Sequence, residues 1–225
     1  MITAVIPVMN EASSLPDTLN RLKEVPEITQ IVVGDGGSKD DTRSLAKAHG
    51  AKVIESAPGR GTQLNRGLQE AKEEIVVFVH ADTWLSAESG KCILAALKDP
   101  KVVGGGFQKS FRDASRLMAG SRFRCRILYK LFGLFYGDQA IFARRKSLNE
   151  IGGVPEIPLM EDLELCRLLK SKGRMILVSN PVTTSARRFQ DQGILKTYWR
   201  MWKVTFLYLR GTEPGKLNRV YQGRR

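Results

Sequence analysis

The chain has 225 residues, 42% of them apolar and 26% charged, which is the make-up of a globular protein with ample material for one buried core. No apolar run reaches the roughly 18 residues of a membrane span, and Met1 leads almost directly into a strand-like segment, so no signal peptide is expected. Lysine and arginine exceed aspartate and glutamate by 36 − 23 = 13 charges, an excess that suits nucleic acid, anionic lipid or phosphorylated small molecules, and also plain solubility.

The first hundred residues alternate short apolar runs with helical spacing. Thr3–Val8 reads as a strand followed by Asn10 and Glu11, and Leu15–Lys23 as a helix through Leu15, Leu19 and Leu22. Ile31–Val33 is a second strand, ended by Gly34-Asp35-Gly36-Gly37. Ser38, with Asp41 three residues on, is expected to open a helix as a capping box. Lys52–Glu55 reads as a third strand, Gly61–Ala71 as a helix, and Ile75–Val79 as a fourth strand, apolar throughout and so expected to be central. This order predicts a mostly parallel sheet with helices on both sides. Ligands of such sheets bind beyond the carboxyl ends of the strands. Asn10-Glu11, Asp35–Ser38 and His80-Ala81-Asp82 all follow strands, and are expected on one rim.

The second half is less regular. Val102–Phe107 and Ala140–Ala143 look like strands in a mixed extension of the sheet. Residues 112–135 read as a long basic and apolar helix, Met160–Ser171 as another, Met175–Val178 and Val182–Ala186 as two strands, and Ile194–Leu209 as a final helix. Cys92, Cys125 and Cys166 are odd in number and far apart, which argues against a disulfide framework or zinc site and fits a reducing compartment. No repeat or linker is visible, so one domain spanning 1–225 is expected.

Each polar cluster has a functional and a plain reading. Asp82 at a strand end could meet a metal-bound diphosphate, since Mg²⁺ and Mn²⁺ take oxygen ligands; it could equally cap the next turn. Asp35 and Gly36 could approach a nucleoside, or form an ordinary strand–helix junction. Glu161 and Asp162 open a helix, where acids gain from the dipole, and where a carboxylate could also take a proton from an acceptor hydroxyl. Arg187 and Arg188 follow a strand and could neutralise a leaving diphosphate.

Taken in order, these motifs resemble the family-2 glycosyltransferases, which have the GT-A fold. Val5–Glu11 looks like that family's opening strand, Val32–Thr42 like its V-D-D-G-S-x-D-x-T signature, and Gly59–Gly67 like its G-x-x-x-A-x-N-x-G helix. His80-Ala81-Asp82 stands where the family carries its D-x-D metal motif, and Gly137–Ala140 and Glu161-Asp162 resemble its acceptor-side motifs. The agreement runs over roughly residues 1–190. A narrower likeness, carried by G-R-G-x-Q-x-N, H-A-D-T, G-D-Q-A-I-F and S-A-R-R, is to the bacterial radical-SAM/selenodomain-associated transferase 2 subgroup.

The resemblance implies a GT-A, Rossmann-like sheet with a basic C-terminal helical region. It implies a donor half over about 1–100, an acceptor and catalytic half over about 101–190, and a C-terminal helix and tail over about 191–225. Pro7, Glu11, Asp35, Gly36, Arg60 and Ala81 would hold the nucleotide of a UDP- or GDP-linked sugar, and Asp82 would meet the diphosphate and a divalent metal, Mn²⁺ or Mg²⁺. Asp162, beside Glu161, would be the base of an inverting transfer, with Gly137, Asp138 and Gln139 facing sugar or acceptor and Arg187 or Arg188 steadying the diphosphate. Two positions depart from the pattern. Gly34 replaces the first acid of the nucleotide signature, and His80 replaces the first acid of D-x-D, which shifts metal binding onto Asp82 and phosphate oxygens and favours Mn²⁺.

Arg122, Arg126 and Lys130 form a basic stripe beside Phe123, Ile127 and Leu131. Lys196, Arg200 and Lys203 do the same beside Tyr198, Trp199, Trp202 and Phe206. Such helices can lie on an anionic membrane surface or bury their apolar face in a core. The first option places a cytoplasmic chain at the inner face of the membrane, with a lipid-linked acceptor. Other classes fit less well. A nucleotidyltransferase would carry a glycine-rich basic loop where Met9-Asn10-Glu11 stands, and a nucleic-acid binder would place its aromatics on strands, so no nucleic acid partner is expected. A family member that only binds a nucleotide sugar is disfavoured by the presence of Asp82 and Asp162.

Overall fold

The structure is a computed structural model describing residues 1–112 and 119–222, without the side chains of 119–122, Arg188, Gln190 and Gln222. In chain order the first elements are β1 (Ile2–Val8), α1 (Leu15–Lys23), β2 (Ile28–Asp35), α2 (Thr42–Ala48), β3 (Lys52–Glu55), α3 (Arg60–Gln69), β4 (Ile75–Phe78), β5 (Thr83–Trp84) and α4 (Ser89–Ala96). They are followed by β6 (Val102–Phe111), α5 (Ala119–Phe132), a 3-10 turn (Gly137–Gln139), β7 (Phe142–Arg144), α6 (Arg145–Glu150), α7 (Glu161–Lys170), β8 (Arg174–Thr184), α8 (Arg187–Gln192), α9 (Ile194–Leu209) and α10 (Pro214–Gln222).

One eight-stranded sheet has the order β3-β2-β1-β4-β7-β6-β8-β5. The first four are parallel, β7 runs antiparallel to β4 and β6, β8 is parallel to β6, and β5 is antiparallel to β8. This is the expected mixed, mostly parallel sheet flanked by helices, with β4 in its interior. Alternation along each strand divides the core in two. Val5, Val32, Val76 and Phe78 face Leu64 and Leu68 of α3 and Leu163, Leu165 and Leu169 of α7. Ala4, Ile6, Val33 and Val77 face Leu15, Leu19 and Leu22 of α1, Ala46 of α2 and Ile93 of α4. Burial on both faces is why these strands read as unbroken apolar runs.

Several expectations need correction. Ser38 does not open a helix; α2 begins at Thr42, and the Ser38 hydroxyl bonds Asp35 and accepts the Asn10 N–H at 2.9 Å. The two last strands are one, β8, broken in register rather than in direction. Phe107 pairs with Val178 but Gln108 pairs with Pro181, so Ser179 and Asn180 bulge out of the ladder. The Asn180 amide is held by the Ser86 hydroxyl at 2.9 Å. Strand β6 runs four residues past its expected end at Phe107, and β5, α4, α6, α8 and α10 are elements beyond those expected. Of the helix expected over 112–135, α5 forms only Ala119–Phe132; Arg112 and 133–135 are not helical, and 113–118 lie outside the described residues.

Candidate active site

The carboxyl ends of β1, β2 and β4 share one rim, as their parallel pairing requires. Side chains knit the loops beyond them. The Glu11 N–H donates to Thr42 Oγ1 at 2.9 Å, and the Lys39 N–H donates to Asn10 Oδ1 at 2.8 Å. Thr18 of α1 donates to the Ala81 carbonyl at 2.7 Å, and Arg112 to the Asp82 carbonyl at 2.9 Å while stacking 3.7 Å over Trp84. The His80–Asp82 turn is therefore held from two sides.

Beyond the rim lies a cleft of about 600 Å³. Pro7, Glu11, Arg60, His80, Ala81 and Asp82 line it from the first half of the chain. Gly137, Asp138, Glu161, Asp162 and Arg187 line it from the other. Three expected residues are elsewhere. Asp35 is fully buried under the rim, where it accepts the Gly37 and Ser38 N–H groups at 3.2 and 3.1 Å and lies 3.6 Å from Arg43 Nε. Gly36 is not in the cleft wall either; it packs on the Gln63 amide. Gln139 is buried, accepting the Tyr136 N–H at 3.1 Å and donating to the Phe107 carbonyl at 2.9 Å, so it shapes the turn that presents Asp138. The Arg188 side chain lies outside the described residues.

Asp162 stands at the start of α7, its oxygens accepting the N–H groups of Gly137 at 2.7 Å and Leu163 at 2.8 Å. Burial, and then the neighbouring Glu161 carboxylate, push its pKa up to about 7, the range in which a carboxylate works as a general base. Glu161 itself is nearly buried and committed to Arg60 of α3 at 2.8 Å, which ties the two halves together across the cleft. Gly137 touches both clusters. A Cβ there would sit 2.5 Å from His80 Nε2, so any larger residue would displace the imidazole from the turn whose N–H holds Asp162.

Asp82 has a pKa raised by burial and then by Asp138 nearby. Burial also works against the Asp138 carboxylate, but the Lys109 ammonium at 2.6 Å overrides it and holds the group below its usual range. Asp138 keeps a second oxygen, buried and without a hydrogen-bond partner. Two crowded carboxylates, one with an unused oxygen, suit a hard divalent cation. Among the described residues no group of three His, Cys, Asp or Glu forms a complete cage, so phosphate oxygens and water would have to finish the coordination shell. Glu11, raised by burial, lies 3.7 Å from Arg187 of α8. An aromatic chain, Phe111–Phe189–Tyr198 with centroids 5.3 and 5.0 Å apart, fixes α8 against β6 and α9.

Several residues of this site had not been expected. Lys109 is buried at 1% exposure, and the alternation Phe107, Lys109, Phe111 would have placed it on the buried face had β6 been carried past Phe107. Arg124, which lies outside the Arg122, Arg126 and Lys130 stripe, is buried, donating to the Tyr136 hydroxyl at 2.9 Å and lying 4.4 Å over that ring. Gln63 donates to the Val8 and Gly34 carbonyls, and its own carbonyl would lie 2.4 Å from any Cβ at position 34. The departure at Gly34 thus follows from the close approach of α3 to β2.

The profile of glycosyl transferase family 2 matches residues 3–152, two thirds of the chain. The chain belongs to this family. Its curated family relatives include the glucosyl-3-phosphoglycerate synthase of Mycobacterium tuberculosis, 33% identical over 123 residues, a match that takes in 49% of this chain and 37% of the relative. The first such matches cover only 38% of the relatives' own length. Among solved structures, a mannosyltransferase from Pyrobaculum calidifontis in complex with GDP-Man and Mn²⁺ superposes at a TM-score of 0.70 with 20% identity, covering 98% of this chain and 68% of that one. The M. tuberculosis synthase in complex with Mn²⁺, UDP and glucosyl-3-phosphoglycerate superposes at 0.61 with 20% identity, covering 92% and 79%. At these identities the structural likeness establishes the fold that a family-2 chain is expected to have.

Proposed function

We propose that the chain is an inverting glycosyltransferase that moves a sugar from a UDP- or GDP-linked donor to a hydroxyl acceptor with the help of Mn²⁺ or Mg²⁺. The observation that carries this reading is the meeting of the donor-side motifs and the α7 carboxylates in one cleft. Pro7, Glu11, Arg60 and Ala81 hold the nucleotide, while Asp35 and Gly36 support it from beneath the rim. A cation on Asp82, beside His80, would share the diphosphate's charge with Arg187. Asp138 and Gly137 face sugar or acceptor. Asp162 takes the proton as the acceptor oxygen attacks the anomeric carbon and the bond from that carbon to the diphosphate breaks, releasing the nucleoside diphosphate, while Glu161 stays bound to Arg60. The division into a donor half over about 1–100, an acceptor half over about 101–190 and a C-terminal region over about 191–225 belongs to this reading. So do the likeness to the radical-SAM-associated subgroup, a cytoplasmic location at the membrane face and a lipid-linked acceptor.

A thermal-shift screen of UDP, GDP and their sugars with Mn²⁺ and Mg²⁺ tests it. A true donor at 100 times its Kd adds about 2.7 kcal/mol to stability, and chelation should remove most of that gain. No shift with any nucleoside diphosphate and either metal would overturn the proposal. Nucleotidyl transfer is disfavoured because Met9, Asn10 and Glu11 follow β1 in place of a glycine-rich basic loop.

A further inference from the structure

The outward faces of α5 and α9 play no part in the cleft. Ten large apolar side chains are exposed among the described residues, and eight belong to these two helices, three on α5 and five on α9. The five are Leu195, Trp199, Trp202, Phe206 and Leu209, spaced by four and three residues so that they form one stripe along α9. Leu195 is 77% exposed and Trp199 67%, so this stripe is not a core face. The core side of the same helix is different: Thr197, Val204 and Thr205 are buried, and Met201, Val204 and Thr205 line the cleft.

The charges on the two helices themselves are of one sign, although Glu164 and Glu213, beside Arg167 and Lys170, stand near the Leu209 end. α9 carries Lys196, Arg200 and Lys203 and no acid, and α5 also lacks any acid. The Lys203 ammonium lies 5.3 Å over Trp199, and the Arg210 guanidinium 5.3 Å over Phe206. Cations flanking an aromatic and aliphatic stripe match a partner with an apolar interior and an anionic surface. A second copy would oppose like charges, since each chain carries a net +13. Nucleic acid supplies the charge but no apolar interior for Leu195 and Phe206. No helix among the described residues is long and apolar enough to cross a membrane, so the fit is to lying on a bilayer.

Resting on the glycosyltransferase reading, we propose that α9 seats its Leu195–Leu209 stripe in the interface of an anionic bilayer and that the acceptor is a lipid bearing a headgroup hydroxyl. One helix then serves as both membrane contact and cleft wall. The cleft lies within about one helix diameter, 10–12 Å, of the headgroups, so the acceptor hydroxyl reaches Asp162 without leaving the membrane.

The test uses the full chain and vesicles of phosphatidylcholine alone or with about one third phosphatidylglycerol. Co-sedimentation and tryptophan emission are read for the wild type, for Trp199→Ser/Phe206→Ser and for Lys196→Gln/Lys203→Gln. None of these positions lines the cleft. Expected are binding only to anionic vesicles, loss of binding in high salt, a blue shift of the emission, and at least tenfold weaker binding by each variant. Nucleoside diphosphate release from the donor should rise on anionic vesicles for the wild type and not for the variants. Wild-type chain that ignores anionic vesicles, or variants that bind them equally well, would overturn the proposal. So would a wild-type dimer that the variants break apart, or RNA binding that competes for the same residues. Vesicle binding needs no sugar transfer, and the nucleotide thermal shift needs no lipid, so the docking surface and the transferase reading fail separately.

Discussion

Replacing Asp162 by asparagine leaves the side chain's size unchanged and removes its capacity to accept a proton. A positioned general base contributes 10²–10⁴ in rate, or about 3–5 kcal/mol at 1.36 kcal/mol per tenfold, and turnover at saturating donor should fall by that factor. Donor binding should stay within about twofold, because no nucleotide-side residue is touched. The wild type should show turnover that rises with pH through about 7 and then levels, since burial and Glu161 raise the Asp162 pKa and only the ionised form is a base. Stability carries the opposite sign. The folded pKa lies above the unfolded value of 3.8, so the buried charge costs the wild type increasing stability as pH climbs through that interval. Asparagine escapes this cost but turns an NH₂ toward the N–H of Gly137 or Leu163, leaving one unpaired at about 1–3 kcal/mol, at every pH. The melting temperature of the variant minus that of the wild type should therefore increase from about pH 5 to about pH 8. The assay is release of nucleoside diphosphate from the donor, to water or to a panel of hydroxyl acceptors. Retention of more than a tenth of turnover, or an unchanged rise through about pH 7 in the variant, would remove Asp162 as the base.

Gly137→Ala should weaken metal-supported nucleotide binding about tenfold, because its Cβ would lie 2.5 Å from His80 Nε2; an unaltered thermal shift by nucleotide and Mn²⁺ would separate His80 from the site. Lys109→Met leaves the Asp138 carboxylate buried without its ion-pair partner and should cost about 3–5 kcal/mol, lowering Tm by roughly 2–4 °C per kcal/mol. Adding Asp138→Asn should restore at least half, and a double variant no better than the single would show that the pair does not act as a unit. Arg187→Ala changes stability by less than about 1 kcal/mol, since the arginine is half exposed, yet should weaken UDP or GDP binding about tenfold while leaving the free nucleoside unaffected. An equal loss for nucleoside and diphosphate, read by titration calorimetry, would place Arg187 off the phosphates.

How much was legible depended on how local the cause is. The β1–β4 half could be read because each strand is a covered apolar run and each loop follows it by chain order alone. α1 and α9 have the boundaries that their spacing predicts, and the cleft collects Asp82 and Asp162 as the motif order requires. The failures share a non-local origin. Arg124 is buried by a bond to Tyr136, beyond the end of its helix, which spacing along α5 does not show, and Lys109 by Asp138 on a turn 29 residues on, although its place between Phe107 and Phe111 already puts it on a buried face. Asp35 had the right loop, but the Gly37 and Ser38 N–H groups absorb its oxygens and turn it inward. On α9 the stripe was visible in the sequence, but its exposure was not. The same spacing serves a core or an interface until the neighbours are in place.

The two-residue bulge at Ser179 and Asn180 acts as a parity device for everything that follows it. Val178 before it and Val182 and Thr184 after it are buried on even positions, because an offset of two preserves the strand's alternation. Losing one of the two bulged residues would turn Val182 and Thr184 outward, present Pro181 and Thr183 to the interior, and rotate the exit toward Arg187 by half a pleat. Losing both would keep the phase and merely shorten the reach. Length variation in this loop should therefore be tolerated in pairs, and a single deletion here, at residues that do not line the cleft, should dismantle the far wall of the cleft.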